Sequence, residues 1–173
     1  MKLFKKILVP YDNTKASDHA LDCALDIAGS SDECKIILLH VITPMSPPIP
    51  ASETMAASIR HRDYLNKIYE DLDTSASAVL EAKKKSIIQK AGKVDAANKI
   101  SSSLISAHVI VGESPAKKIA EYARLHDVDL IVISSRNTIP KNRIKRWLWV
   151  PLGSVSRTVS ELAPCPVLLV RPL

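Results

Sequence analysis

Short apolar runs and amphipathic stretches alternate along the chain. Lys6-Ile7-Leu8-Val9-Pro10 is rich in branched residues and ends in proline, which predicts a buried strand. Tyr11-Asp12-Asn13-Thr14 is a polar turn. Ser17 then caps a helix whose Ala20, Leu21, Ala24, Leu25 and Ala28 fall at helical spacing, and Gly29 stops it. The run from Lys35 to Ile42 is continuously apolar rather than alternating, as in a parallel strand covered on both faces. Thr43 to Ala51 holds four prolines and reads as a loop. From about residue 53 to 102 the composition turns to Ala, Lys and Glu, with Tyr64, Ile68, Leu72, Val79, Leu80, Ile87 and Ile88 near helical spacing. That predicts an extended helical region, broken near Asp73-Thr74-Ser75 or at Gly92. It is long for one crossover and suggests a projecting insertion. Further on come a strand over Leu104–Val111, a helix opened by Ser114-Pro115, and a strand over Asp129–Ile133. The helix carries Ile119, Ala120 and Ala123 on its apolar face. A helix over Ser154–Leu162 and a strand over Pro166–Arg171 close the order.

Strands alternating with helices predict an α/β protein. Its core is an open five-stranded parallel sheet with right-handed crossovers and helices on both faces, with the long helical insertion between strands 2 and 3. Ligands of such sheets sit beyond the carboxyl ends of the strands, where strand order reverses. That rim would gather Asp12, Val41 to Thr43, Gly112 and Ser134 to Asn137, followed by the turn at Gly153.

The 173 residues are read as one domain, 1–173, with an ordinary 46% of hydrophobic residues. No apolar run reaches the roughly 20 residues of a membrane helix. The apolar stretch behind Lys5-Lys6 stops at Pro10-Tyr11-Asp12, too soon for a signal peptide, so a cytoplasmic protein with no membrane role is expected. Cys23, Cys34 and Cys165 have no paired spacing and read as buried or half-buried thiols. The net charge of +6 attracts anions without naming one.

Candidate chemistry concentrates at Gly153-Ser154-Val155-Ser156. The chain has four glycines, and this one precedes a helix that feeds the last strand. A helix start there offers backbone N–H groups and a positive dipole end to a phosphate. Ser154 also reads simply as a helix N-cap. Catalysis has little to stand on: there is no nucleophile–base pairing, no H-E-x-x-H and no Walker-type glycine loop. The five histidines are scattered, and His40, in a strand, reads as a satisfied core histidine. The chain is therefore not expected to be an enzyme, beyond slow incidental ATP hydrolysis.

Taken in order, these segments resemble the universal stress protein family. The resemblance rests on Lys6-Ile7-Leu8-Val9-Pro10-Tyr11-Asp12, Leu39-His40-Val41, Val111-Gly112-Glu113-Ser114-Pro115 and Asp129-Leu130-Ile131-Val132-Ile133. It ends in Leu152-Gly153-Ser154-Val155-Ser156 and Ala163-Pro164-Cys165-Pro166-Val167-Leu168-Leu169-Val170. It implies a Rossmann-like sheet of the adenine nucleotide alpha hydrolase-like kind and a stress-response role. It also implies a homodimer through the last strand, Val167 to Arg171, which would otherwise be an open sheet edge.

Many members of that family look like binders of ATP or AMP, with magnesium accompanying ATP and no cofactor needed for catalysis. Their motif is a glycine, two residues, a second glycine, nine residues, then Gly-Ser or Gly-Thr. This chain has Ser134 and Asn137 at the two upstream glycines and fifteen residues between Asn137 and Gly153. Asn tolerates the left-handed backbone of such a turn. Carried over by position, Pro10 and Asp12 would face the adenosine and Val41 the base. Ile133 and Ser134 would lie by the ribose, Asn137 would hold the second glycine's place, and Gly153, Ser154, Val155 and Ser156 would lie on the phosphates. Without the resemblance, Asp12 reads as a turn former, Val41 as core and Ser156 as an ordinary helix residue.

The lengthened loop, about 135–152, holds Arg136, Lys141, Arg143, Lys145 and Arg146 and both tryptophans, Trp147 and Trp149. It reads as a phosphate clamp through Arg136, Lys141 or Arg143, as a dock for an anionic surface or, over 141–149, for a protein partner, or as an anchor to the body of the molecule or to a dimer partner. Stacking on nucleic-acid bases is the least favoured reading. Two functions stay open: an adenine-nucleotide sensor, or an interaction module whose pocket is vestigial.

Overall fold

The computed structural model describes residues 4–29, 33–44, 55–94, 104–135 and 152–171. The elements follow one another as β1 (Lys6–Pro10), α1 (Lys15–Ala28), β2 (Lys35–Ile42), α2 (Met55–Val94) and β3 (Ile105–Val111). Then come α3 (Pro115–Leu125), β4 (Leu130–Ser134), α4 (Ser154–Leu162) and β5 (Val167–Val170). All strand pairs are parallel, in the order β3-β2-β1-β4-β5. The chain builds outward from β1 to β3, then crosses to the other side of β1 for β4 and β5. The order thus reverses between β1 and β4.

Both faces of the sheet are covered, which explains the continuous apolar runs. Alternate residues of one strand face opposite layers. Ile7, Val9, Ile36, Leu38, Leu130 and Val132 pack against α1 and α2 through Ala20, Leu21, Ala24, Leu80 and Ile87. Leu8, Ile37, Leu39, Ile131 and Ile133 pack against α3 and α4 through Ala116, Ile119, Tyr122, Ala123 and Val159. At the amino edge, Asp129 Oδ2 accepts the backbone N–H groups of Lys5 and Lys6 at 2.8 and 2.9 Å. That carboxylate aligns the starts of β1 and β4.

Several boundaries differ from those read in the sequence. The first helix is capped by Thr14, not Ser17. Thr14 Oγ1 accepts the Ser17 N–H at 3.2 Å, and the Ser17 hydroxyl answers as acceptor for the Thr14 N–H at 3.1 Å. This is a capping box whose third position is a serine. Two hydroxyl residues three apart hide which of them is the cap. α2 runs unbroken through Asp73-Thr74-Ser75 and Gly92. Each of these residues costs at most about 1 kcal/mol relative to alanine, too little to break a packed helix. The Thr74 hydroxyl also donates to the Glu70 carbonyl at 2.8 Å, inside the helix. β3 and β4 begin one residue later than expected, at Ile105 and Leu130, and β5 spans only Val167–Val170.

The forty residues of α2 make a helix of about 60 Å, against about 27 Å for the eight residues of β2. Leu80 and Ile87 are buried, while Leu72 and Tyr64 are exposed. Around Leu80 and Ile87 the helix therefore packs on the sheet, while at Tyr64 and Leu72 it is open to solvent. Among the described residues β5 lies at the sheet edge, paired with β4 alone, and its Leu168 is exposed. Cys34 is buried, Cys23 and Cys165 are half-buried, and none is in a disulfide.

Candidate functional site

Four strand and helix ends meet at the reversal point and enclose a cavity of about 410 Å³. From β1 come Pro10, Tyr11 and Asp12, and from β2 Leu39, His40 and Val41. β4 gives Ile133, Ser134 and Ser135, and α4 gives Gly153, Ser154, Val155 and Ser156. Pro115 and Ile119 of α3 close the apolar side. Nine of the ten residues singled out from the sequence thus line one cavity. The tenth, Asn137, lies outside the described residues, as does the basic tryptophan loop over 136–151.

The α4 end of this cavity is built for backbone contact. Its N-cap is Gly153, not Ser154, and no side chain caps the first turn. The opening N–H groups of a helix have no partner within it. Here they stand at the positive end of the dipole, beside the cavity. The turn is held rigidly. The Gly153 N–H donates to the Ser135 carbonyl at 2.8 Å. The buried Ser156 hydroxyl reaches the same carbonyl at 2.9 Å and the Gly153 carbonyl at 3.1 Å. Ser156 is thus a brace between α4 and the end of β4, and its hydroxyl is already committed.

Asp12 is exposed on the opposite wall. Its Oδ1 accepts the Thr14 hydroxyl at 2.6 Å and the Thr14 N–H at 3.2 Å. The carboxylate therefore shapes the turn into α1 while lying at the cavity. Asn13 beside it takes the left-handed backbone, φ 61°, a conformation asparagine tolerates well. Among the described residues no lysine or arginine lines the cavity.

The sequence reading missed Tyr11 and His40 at this site. His40 is half-buried at the rim, not in the core. Its Nδ1 lies 2.8 Å from the Tyr11 carbonyl oxygen. A carbonyl only accepts, so Nδ1 carries a proton and donates it to Tyr11. Tyr11 in turn donates its hydroxyl to Asp18 at 2.6 Å, and Lys83 of α2 pairs with the same carboxylate oxygen. Burial, then the hydrogen bond to Asp18, raise the Tyr11 phenol well above its usual range. Only the pairing of β1 with β2 brings His40 to Tyr11, a contact between residues 29 apart in sequence. No local pattern signals it.

An open parallel sheet with an uncapped helix start at its reversal point is the architecture of Rossmann-like, adenine nucleotide alpha hydrolase-like proteins. The structure of the universal stress protein UspA from Lactobacillus plantarum superposes on this fold with a TM-score of 0.66. It has 24% identity, covering 97% of this chain and 98% of that one. The model of the universal stress protein family matches residues 3–171, and the chain belongs to that family. Universal stress protein YxiE of Bacillus subtilis is 27% identical over 98% of this chain and all of its own length. A universal stress family protein from Arabidopsis thaliana, solved with AMP bound, has a TM-score of 0.52 at 19% identity. That match covers 98% of this chain and 92% of that one.

Proposed function

We propose that this chain binds an adenine nucleotide, AMP or ATP, in the cavity at the sheet's carboxyl edge. It would act as a homodimeric, cytoplasmic sensor or regulator in the stress response rather than as an enzyme. The observation that carries this reading is the uncapped first turn of α4, opened by a glycine and held against β4 beside the cavity. The cavity's volume lies within the range of small-molecule sites. The Arabidopsis relative with AMP bound supports the choice of ligand.

In this reading the amides of Ser154, Val155 and Ser156 hold the phosphates. Asp12 faces sugar hydroxyls, Pro10 and Val41 flank the base, and Ile133 and Ser134 lie by the ribose, with Asn137 completing that side. Ser156 contributes its backbone rather than its committed hydroxyl. A magnesium ion would arrive with ATP, since no cluster of three metal-binding side chains occurs among the described residues. The exposed edge of β5 supports a twofold partner across Val167 to Arg171.

One feature favours a second reading, an interaction module with a vestigial pocket. Ser134 puts a side chain at the cavity where the family motif has its first glycine. Titration calorimetry with AMP, ADP and ATP, with and without magnesium, separates the two readings. Saturable heat with wild type that disappears in Gly153→Val supports the nucleotide site. Absence of heat with every nucleotide leaves the interaction module.

A further inference from the structure

Helix α2 carries two apolar faces, and the core uses one of them. Leu80 and Ile87 are buried against the sheet. The other face runs Leu65, Ile68, Leu72, Ser75, Val79, Ala82, Ser86, in alternating steps of three and four residues. That is the spacing of the a and d positions of a coiled-coil seam, and no charged residue interrupts it. Leu72, Ser75 and Val79 look across a second cavity of about 410 Å³ toward Tyr11, His40, Val41 and Thr43, which leave them open. Leu72 and Val79 are 43% and 40% exposed, Ser75 and Ala82 are exposed as well, and Leu65, Ile68 and Ser86 are half-buried. An apolar seam left in water over three turns marks an interaction surface.

We propose that α2 pairs with α2 of a second copy of this chain, antiparallel, about a twofold axis level with Ser77. Size and charge both select this register. Leu72 falls against the partner's Ala82, Val79 against the partner's Ser75, and Ile68 against the partner's Ser86. Each large side chain meets a small one. Beside the seam, the g positions are Asp71, Ala78 and Lys85, and antiparallel helices set g against g. Asp71 therefore meets the partner's Lys85, and Lys85 meets the partner's Asp71. A parallel pair would set Asp71 against the partner's Ala76 and lose both charge pairs. Exchange of the two copies leaves the arrangement unchanged, as an isologous contact requires. The contact is separate from the β5 edge, because α2 packs over β2 and β3 at the other end of the strand order. It does not depend on the nucleotide reading.

Sedimentation of the full chain in a Leu168→Glu background, where the β5 edge is blocked, reads this contact alone. The chain should still self-associate there. Asp71→Lys and Lys85→Asp should each raise the dissociation constant about tenfold, by setting like charges face to face. The double variant Asp71→Lys/Lys85→Asp should restore it, because both pairs re-form with reversed sign. Leu72→Glu should abolish association with helix content unchanged by circular dichroism. A chain that is monomeric in the Leu168→Glu background, or single reversals without effect, would overturn the proposal. So would a double reversal that fails to rescue. Should the β5 edge form no contact, Leu168→Glu would simply sediment like wild type, so failure of that reading is seen separately.

Discussion

The Ser156 hydroxyl donates to the Ser135 carbonyl across 2.9 Å, joining the first turn of α4 to the last residue of the β4 rim. Both residues are buried. Ser156→Ala would leave a buried carbonyl short of one donor, although the Gly153 N–H still reaches it. Denaturant unfolding should show a loss of about 1 kcal/mol, the net worth of one hydrogen bond. Nucleotide affinity should fall with it, because the amides lose their brace. Ser156→Thr, which keeps the hydroxyl, should recover most of both.

Asp129 performs the corresponding service at the amino edge, accepting two backbone N–H groups from Lys5 and Lys6. Asp129→Ala should cost about 2 kcal/mol in denaturant unfolding, the scale of two lost bonds. Because the site lies at the opposite end of the strands, the affinity for nucleotide should not change.

Tyr11 supplies a test at alkaline pH. Its phenol is raised above the ordinary tyrosine range by burial and by the bond to Asp18. The folded state therefore holds this proton after the unfolded chain has released it. The contribution is fully present below about pH 10 and is lost as pH rises through the folded value. Tyr11→Phe should flatten that part of the stability decline above pH 10, measured by urea unfolding against pH.

His108 acts at the acid end. Burial first, then His126 and Lys84, lower its pKa below the usual value. The unfolded chain then takes up a proton that the folded chain refuses, and stability falls as pH drops below about 6.5. His108→Gln should reduce the slope of unfolding free energy between pH 6.5 and pH 5. An unchanged slope would place the acid sensitivity elsewhere.

Much of this fold was legible because punctuation and periodicity agreed. Gly153 and Pro164 bracket α4, and its bounds came out as read, Ser154–Leu162. Continuous apolar runs implied a sheet covered on both faces, and Ile7 and Leu8 do face opposite layers. Local chemistry misled where two residues compete for one role. Thr14 and Ser17 both suit a cap, and Asp73-Thr74-Ser75 looks like a break until tertiary packing holds the helix. The rim residues came from reading strand ends, so Asp12, Val41 and Gly153 were found together. Tyr11 and His40 were not, since strand order alone makes them neighbours. The seam on α2 was hidden because Ile68, Leu72 and Val79 were read with Leu80 and Ile87 as a single helical periodicity. Only burial separates the face that packs from the face that does not.

The central claim is that backbone amides at the start of α4 receive the phosphate of an adenine nucleotide. Amide NMR of the ¹⁵N-labelled chain during AMP titration reads those groups directly. The account predicts saturable shifts at Ser154, Val155 and Ser156, accompanied by shifts at Val41 and absent when adenosine replaces AMP at the α4 amides. Saturating AMP that leaves these three amides unmoved would contradict it.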